Sequence, residues 1–190
     1  MNRKFMVLAV LAASFSLACA ETMTEVPSPV EIKDAKNCYR LSADLYRSGQ
    51  PGSRGFKALE KLGLKSVLNL REYHSDADEA EHTGLRLYRR KLAAGKMSRE
   101  ELMDCLLVIS SAPKPILVHC WHGSDRTGIV CAAYRIVMQG WTPEKALEEL
   151  MDERFGHHRS YYSNLAELVR TTDWKAFKEE FRKKRQAQGV

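Results

Sequence analysis

Several things are scarce in this sequence, and each absence closes off a class of protein. Among its 190 residues there is no internal repeat and no low-complexity tract, so solenoid, fibrous and disordered chains are excluded. No His, Cys or carboxylate cluster has the spacing of metal ligands. The longest apolar run, Phe5 to Leu17, falls short of the roughly 20 residues a bilayer-crossing helix needs. Charge of one sign is in only mild excess: the formal net charge is +6, and it falls to +4 without Arg3 and Lys4. That balance favours anionic ligands weakly. The basic run Lys178 to Arg185 has no interleaved aromatics and reads as a solvated helix end, not a nucleic-acid surface.

What is present begins with a segmented N-terminus. Asn2-Arg3-Lys4 is a short basic start, Phe5 to Leu17 is apolar, and Ala18-Cys19-Ala20 puts small residues where a signal peptidase reads them. Residues 1–20 are therefore expected to be a signal peptide, with the mature chain starting at Glu21, exported to the periplasm and not held in the membrane after cleavage. Lipidation at Cys19 would want leucine three places earlier, where Ser16 stands. Residues 21–36, with Pro27 and Pro29 among small and charged residues, read as a linker. The remainder, residues 37–190, is long enough for one sizeable core and one domain.

Within that domain short apolar segments predict strands at Tyr39 to Leu41, Leu45 to Arg47, Ser66 to Leu70, Arg86 to Leu92 and Ile116 to His119. Helical patterns fall between them at Ser53 to Leu62, Ser75 to His82 and Ser98 to Ser110, where Ser98 and Glu101 form a capping box. Beyond the last strand only helices are expected, at Thr127 to Met138, Thr142 to Met151, Ser163 to Val169 and Trp174 to Lys184. Strands alternating with helices, followed by helices alone, predict an α/β domain with a short, largely parallel sheet.

The informative stretch is Ile116-Leu117-Val118-His119-Cys120-Trp121-His122-Gly123-Ser124-Asp125-Arg126-Thr127-Gly128. A buried strand runs into a small loop that opens a helix, and the N–H groups of such a loop converge on one point that suits a phosphate dianion. Gly123 permits the tight turn. A cysteine at the mouth of the loop sits in the same positive field, which favours its thiolate, the form able to attack phosphorus. Cys120 holds that place. Arg126, on the helix's first turn, can present its planar fork to two phosphoryl oxygens. The hydroxyl of Thr127 is placed to hydrogen-bond the sulfur, and His119 at the strand end to brace the loop. Trp121 and His122 fall on the rim, where they could touch substrate, and the N–H groups through Ser124 and Asp125 complete the anion site. This chemistry calls on neither a metal nor a cofactor.

His-Cys-Trp-His-Gly-Ser-Asp-Arg-Thr-Gly, residues 119–128, resembles the signature loop of cysteine-dependent protein-tyrosine and dual-specificity phosphatases, most nearly the small bacterial exported branch. Leu45-Tyr46-Arg47-Ser48-Gly49-Gln50-Pro51 and Val67-Leu68-Asn69-Leu70-Arg71 are similar to the opening strands of that branch. The resemblance implies the single-domain phosphatase fold and hydrolysis of phosphomonoesters, in phosphorylated proteins or small molecules, through a phosphocysteine. Phosphoinositides or inositol phosphates as substrates, and a non-catalytic phosphate-binding module, are the alternatives. One departure concerns the general acid. The family places an aspartate on a loop after the strand corresponding to Arg86 to Leu92, and Ala93-Ala94-Gly95-Lys96 contains none. Asp125, placed as in the similar loop of myotubularin-type lipid phosphatases, is the preferred substitute, with Asp76 and Asp78 as the others. Cys105 and Cys131 fall on apolar helix faces as core residues, and Cys38 is open to either exposure or pairing.

Overall fold

The computed structural model describes residues 26–189. The signal segment 1–20, the boundary at Glu21, Cys19 and the start of the expected linker lie outside the described residues. Six strands form one sheet in the order β1-β2-β3-β6-β4-β5: β1 (Ser28–Pro29), β2 (Tyr39–Arg40), β3 (Leu45–Ser48), β4 (Ser66–Asn69), β5 (Arg86–Arg89) and β6 (Ile116–His119). The four strands from β3 to β5 are parallel, and β1 and β2 extend the β3 edge antiparallel. Six helices accompany them: α1 (Ser53–Lys61), α2 (Arg99–Ser111), α3 (Asp125–Met138), α4 (Pro143–Met151), α5 (Ser163–Thr171) and α6 (Trp174–Ala187). This is the α/β domain expected.

Two stretches depart from expectation. Residues 28–36, read as linker, belong to the domain. Ser28–Pro29 pairs with Tyr39–Arg40, and the carbonyls of Asp34 and Lys36 accept from the N–H groups of Gly52 and Gly49 at 2.8 Å each. Prolines are tolerated there because β1 is an edge strand with no partner on its outer side. Ser75 to His82, read as a helix, makes only turns. The Asp76 side chain turns inward to take hydrogen bonds from Gln50, Asn69 and His119, which draws the segment onto the sheet instead of leaving it to wind alone.

Period-two alternation along the strands sorts side chains to two cores. Ile116 and Val118 of β6, with Leu68 and Leu45, face the larger core built with α2, α3, α4, α5 and α6. Leu117, Val67 and Tyr46 face the smaller one under Phe56 and Leu59 of α1. Full burial of each such aliphatic chain contributes about 1.5–3 kcal/mol. Between β3 and β4, β6 is the middle of the parallel sheet, so its C-terminal end opens where ligands bind in such sheets.

From Thr127 to Ile136 α3 is buried on every side, which explains its nearly uninterrupted apolar sequence. Its one buried cation, Arg135, is paired bidentately with Glu149 of α4, at 3.1 Å from Nε and 2.8 Å from Nη2. The pair fixes α4 against the helix that carries the loop. Among the described residues no helix is long and apolar enough to cross a membrane.

Candidate active site

The loop Cys120–Ser124 joins β6 to α3, and its shape is set from outside. Four successive carbonyls each accept a hydrogen bond from a different part of the chain. Cys120 O lies 3.2 Å from His119 Nδ1, Trp121 O takes the Gln50 N–H at 2.9 Å, His122 O takes Asn37 Nδ2 at 3.1 Å, and Gly123 O takes Arg47 Nη2 at 2.7 Å. In a trans peptide the C=O and the following N–H point in opposite directions. Holding the four oxygens outward therefore turns the N–H groups of Trp121, His122, Gly123 and Ser124 inward. The Gly123 N–H reaches the Cys120 sulfur at 3.3 Å. This arrangement is an anion nest at a helix N-terminus.

Gly123 is required on two counts. Its φ is +78°, and a Cβ there would come within 2.6 Å of Gly49 N and Ser48 C. Arg47 is fully buried and stacks its guanidinium 3.9 Å from the centroid of the Phe155 ring, so its grip on Gly123 is fixed by packing. Asn37 also has positive φ, 53°, which asparagine tolerates, and its amide donates to Phe155 O as well as to the loop.

Cys120 is 3% exposed and lines a cavity of about 330 Å³. Ala94, Trp121, His122, Asp125, Arg126, His158, Tyr161 and Tyr162 complete its walls, so most of the predicted site residues are brought together. Arg126 lies on the first turn of α3 and donates to Leu92 O at 3.2 Å. A larger cavity of about 770 Å³ lies across Trp121 and His122, lined by Lys33, Lys36, Arg71 and His74, and does not contain the thiol. Trp121 and His122 line both, and the Arg71 guanidinium stands 4.2 Å from the Trp121 ring centroid. The other cysteines among the described residues are free and buried, and burial pushes the thiols of Cys38 and Cys131 up to about 11 and that of Cys105 to about 12. Only Cys120 lines the cavity.

Three expectations for individual residues are corrected. Thr127 does not hydrogen-bond the sulfur: its Oγ1 is buried without a partner, and the inward-turned Gly123 N–H serves the sulfur instead. Asp125 is not poised as an acid. One of its oxygens accepts from His157 Nδ1 at 2.8 Å and from the His158 N–H at 2.9 Å, and the other meets His158 Nδ1 at 2.8 Å. Burial opposes its ionisation, but the bonds from His157 and His158 outweigh that and hold the carboxyl below its ordinary range. Asp76 does not reach the thiol cavity either. It lies 4% exposed behind the loop, 2.8 Å from His119 Nε2, and Asp78 is exposed outside the cavity.

His119 thus sits on the α1 face of the sheet, with one nitrogen on the Asp76 carboxylate and the other on the loop's first carbonyl. The histidines at 157 and 158, Tyr161, Tyr162 and Asn37 were not singled out from sequence, and Arg47 and Gln50 stood out only as part of a family-like strand, with no clamping role. They come from distant segments with no motif spacing to join them. The one local sign is Gly156, whose φ of +68° turns the chain back over the loop.

Comparison with known proteins agrees with this geometry. The tyrosine phosphatase family matches residues 35–185. The chain belongs to the tyrosine phosphatase family. Among curated relatives, the dual specificity protein phosphatase TpbA of Pseudomonas aeruginosa is 34% identical over 161 residues, covering 80% of this chain and 72% of that protein. The inositol diphosphatase SIW14 of Saccharomyces cerevisiae is 28% identical over 148 residues, covering 73% of this chain and 52% of its own. The crystal structure of P. aeruginosa TpbA superposes with a TM-score of 0.76 at 28% identity, over 84% of this chain and 98% of that one. The catalytic domain of S. cerevisiae SIW14 gives 0.67 at 25% identity, over 81% and 96%.

In this family member the brace behind the loop is testable through its charge. Burial raises the Asp76 carboxyl, but the hydrogen bond and charge of His119, then the Gln50 bond and the His74 charge, bring it below its ordinary range. A folded value below the unfolded one gives stability that is complete above the unfolded value of about 3.9 and is lost as pH falls through the lowered one. Asp76→Asn is expected to cost about 1.5–3 kcal/mol at neutral pH. Urea midpoints across a pH series should show that gap closing below about pH 4. A gap that does not vary with pH contradicts the ionised brace.

Proposed function

We propose that this phosphatase hydrolyses phosphomonoesters, phosphotyrosine and also phosphoserine or phosphothreonine in proteins, through a phosphocysteine on Cys120. The observation that carries the reading is a buried sulfur that takes the Gly123 N–H at 3.3 Å, in a cavity also lined by Arg126 on the adjoining helix turn. The thiolate attacks phosphorus as the ester oxygen leaves, and water then cleaves the S–P bond. The loop N–H groups and the Arg126 fork take up the charge on the transferring phosphoryl oxygens in both steps.

A protein substrate is supported by the relatives' descriptions, which include a TpbA structure in complex with pTyr at a TM-score of 0.76. It is also supported by the site's shape. Cys120 is buried, while Trp121 and Tyr161 of the same cavity are 53% and 81% exposed and offer rings to an aryl phosphate. A second reading, an inositol phosphate, draws on the SIW14 likeness and on Lys33, Lys36, Arg71 and His74 beside the site, which suit a substrate with further anionic groups.

Hydrolysis of p-nitrophenyl phosphate in EDTA and reductant tests the common core of both. Cys120→Ser is expected to lose at least about 10³-fold in turnover, and Arg126→Lys about 10²-fold or more. Near-native rates in Cys120→Ser contradict the phosphocysteine. Export to the periplasm belongs to the same proposal and rests on the basic, apolar and small-residue pattern of residues 2–20. The N-terminus of the chain recovered from a periplasmic fraction is expected to be Glu21, and a chain retained with Met1 intact in the cytoplasm contradicts it.

A further inference from the structure

We infer that the proton donor to the leaving oxygen is His158, held in place by Asp125. The inference rests on the phosphatase reading and supplies the group that reading lacks. Where the family would carry an aspartate, this chain has the short turn Ala94–Lys96, which offers the cavity only Ala94. Asp125, at the first residue of α3, is an acceptor to three donors and keeps no proton to give. Among the described residues lining the thiol cavity, the remaining groups that can deliver a proton are His122, His158, Tyr161 and Tyr162.

Of these, His158 alone is oriented by a carboxylate. Its Nδ1 lies 2.8 Å from Asp125 Oδ2, and its own backbone N–H donates to Oδ1 of the same group, so ring and main chain are pinned together. With Nδ1 donating to the carboxylate, Nε2 is left as the nitrogen that exchanges protons with substrate. The pinned carboxylate is itself buried, with 9% of its side chain exposed, whereas the ring it holds is 41% exposed in the cavity mouth. His157, on the other oxygen, is 1% exposed and acts as an anchor for Asp125. The His158 ring stands 5.4 Å from the His122 ring and 6.4 Å from that of Tyr162. The charged and titratable groups around it are therefore Asp125, His157, His122, Tyr161, Tyr162, Cys120 and Arg126.

The steps balance. As sulfur bonds phosphorus and the P–O bond breaks, Nε2–H of the imidazolium passes its proton to the departing oxygen, giving a neutral alcohol and a neutral ring. In the second step the neutral Nε2 takes a proton from water as the water oxygen bonds phosphorus and the S–P bond breaks, which restores the thiolate and the imidazolium. Asp125 is a positioning residue: it holds the ring by Nδ1 and the main chain by the His158 N–H.

The test compares two leaving groups in the full chain. Phenyl phosphate releases a poor leaving group that needs the proton, and p-nitrophenyl phosphate releases a phenolate stable without one. His158→Asn is expected to lower kcat on phenyl phosphate by about 10²-fold or more and on p-nitrophenyl phosphate by less than about 5-fold. The fall of the phenyl phosphate rate with rising pH, as the acid loses its proton, should flatten in that variant. Added imidazole should restore part of the rate in His158→Ala, and Asp125→Asn should shift the same pH limb while orthovanadate binding is kept. Equal losses on both substrates, or none on either, with no imidazole rescue, overturn the assignment of His158 alone when turnover still depends on Cys120. Absence of any Cys120-dependent turnover in the unaltered chain overturns the phosphatase reading and this one with it.

Discussion

The site depends on four peptide planes being turned the same way. A phosphate nest works only if consecutive N–H groups face one point, and a free loop of five residues has no reason to hold them there. Here each carbonyl from Cys120 to Gly123 is taken from outside, by His119, Gln50, Asn37 and Arg47 in turn. Those four donors come from β6, the turn after β3, the loop before β2, and β3 itself. Much of the parallel sheet and its antiparallel edge is thereby committed to the conformation of one loop. The cost of ordering the loop is met on folding, before any anion arrives, which is what preorganised electrostatic catalysis requires.

Two histidine–carboxylate pairs flank this loop and differ because their surroundings differ. Behind it, His119 and Asp76 are both sealed under α1, so their hydrogen bonds hold the strand end and the loop's first carbonyl. In front, Asp125 is buried but the His158 it holds reaches the cavity mouth. The same pairing of residue types thus gives a brace where both partners are dry and a proton-exchanging group where one of them is wet.

Much of the fold was legible in the sequence because its segments obey local rules. β6 is an unbroken apolar run ending at His119, the capping box at Ser98 and Glu101 forms as read, and Pro143 opens α4 one residue after a Thr142 cap. Cys120 and Arg126 were legible for a related reason, since strand, loop and helix N-terminus are contiguous. The failures share the opposite property. Ser28–Pro29 joins the sheet only because Tyr39–Arg40 is there to pair with it. Ser75 to His82 stays unwound because Asp76 is drawn to partners at Gln50, Asn69 and His119. The Asp125 carboxylate looked free to act as an acid because the residues that saturate it lie 32 and 33 positions further on. Periodicity and caps report nearest neighbours along the chain, whereas these outcomes are fixed by contacts across it.

The central claim is that the phosphoryl group passes through the Cys120 sulfur, and trapping it there is the most direct test. The full chain would be mixed with excess p-nitrophenyl phosphate, quenched in acid during turnover, digested, and its peptides weighed. The account predicts a phosphoryl adduct on the peptide that contains Cys120, acid-stable and absent from Cys120→Ser. Turnover at the native rate with that peptide unmodified at every quench time, or with the adduct on another residue, would contradict it.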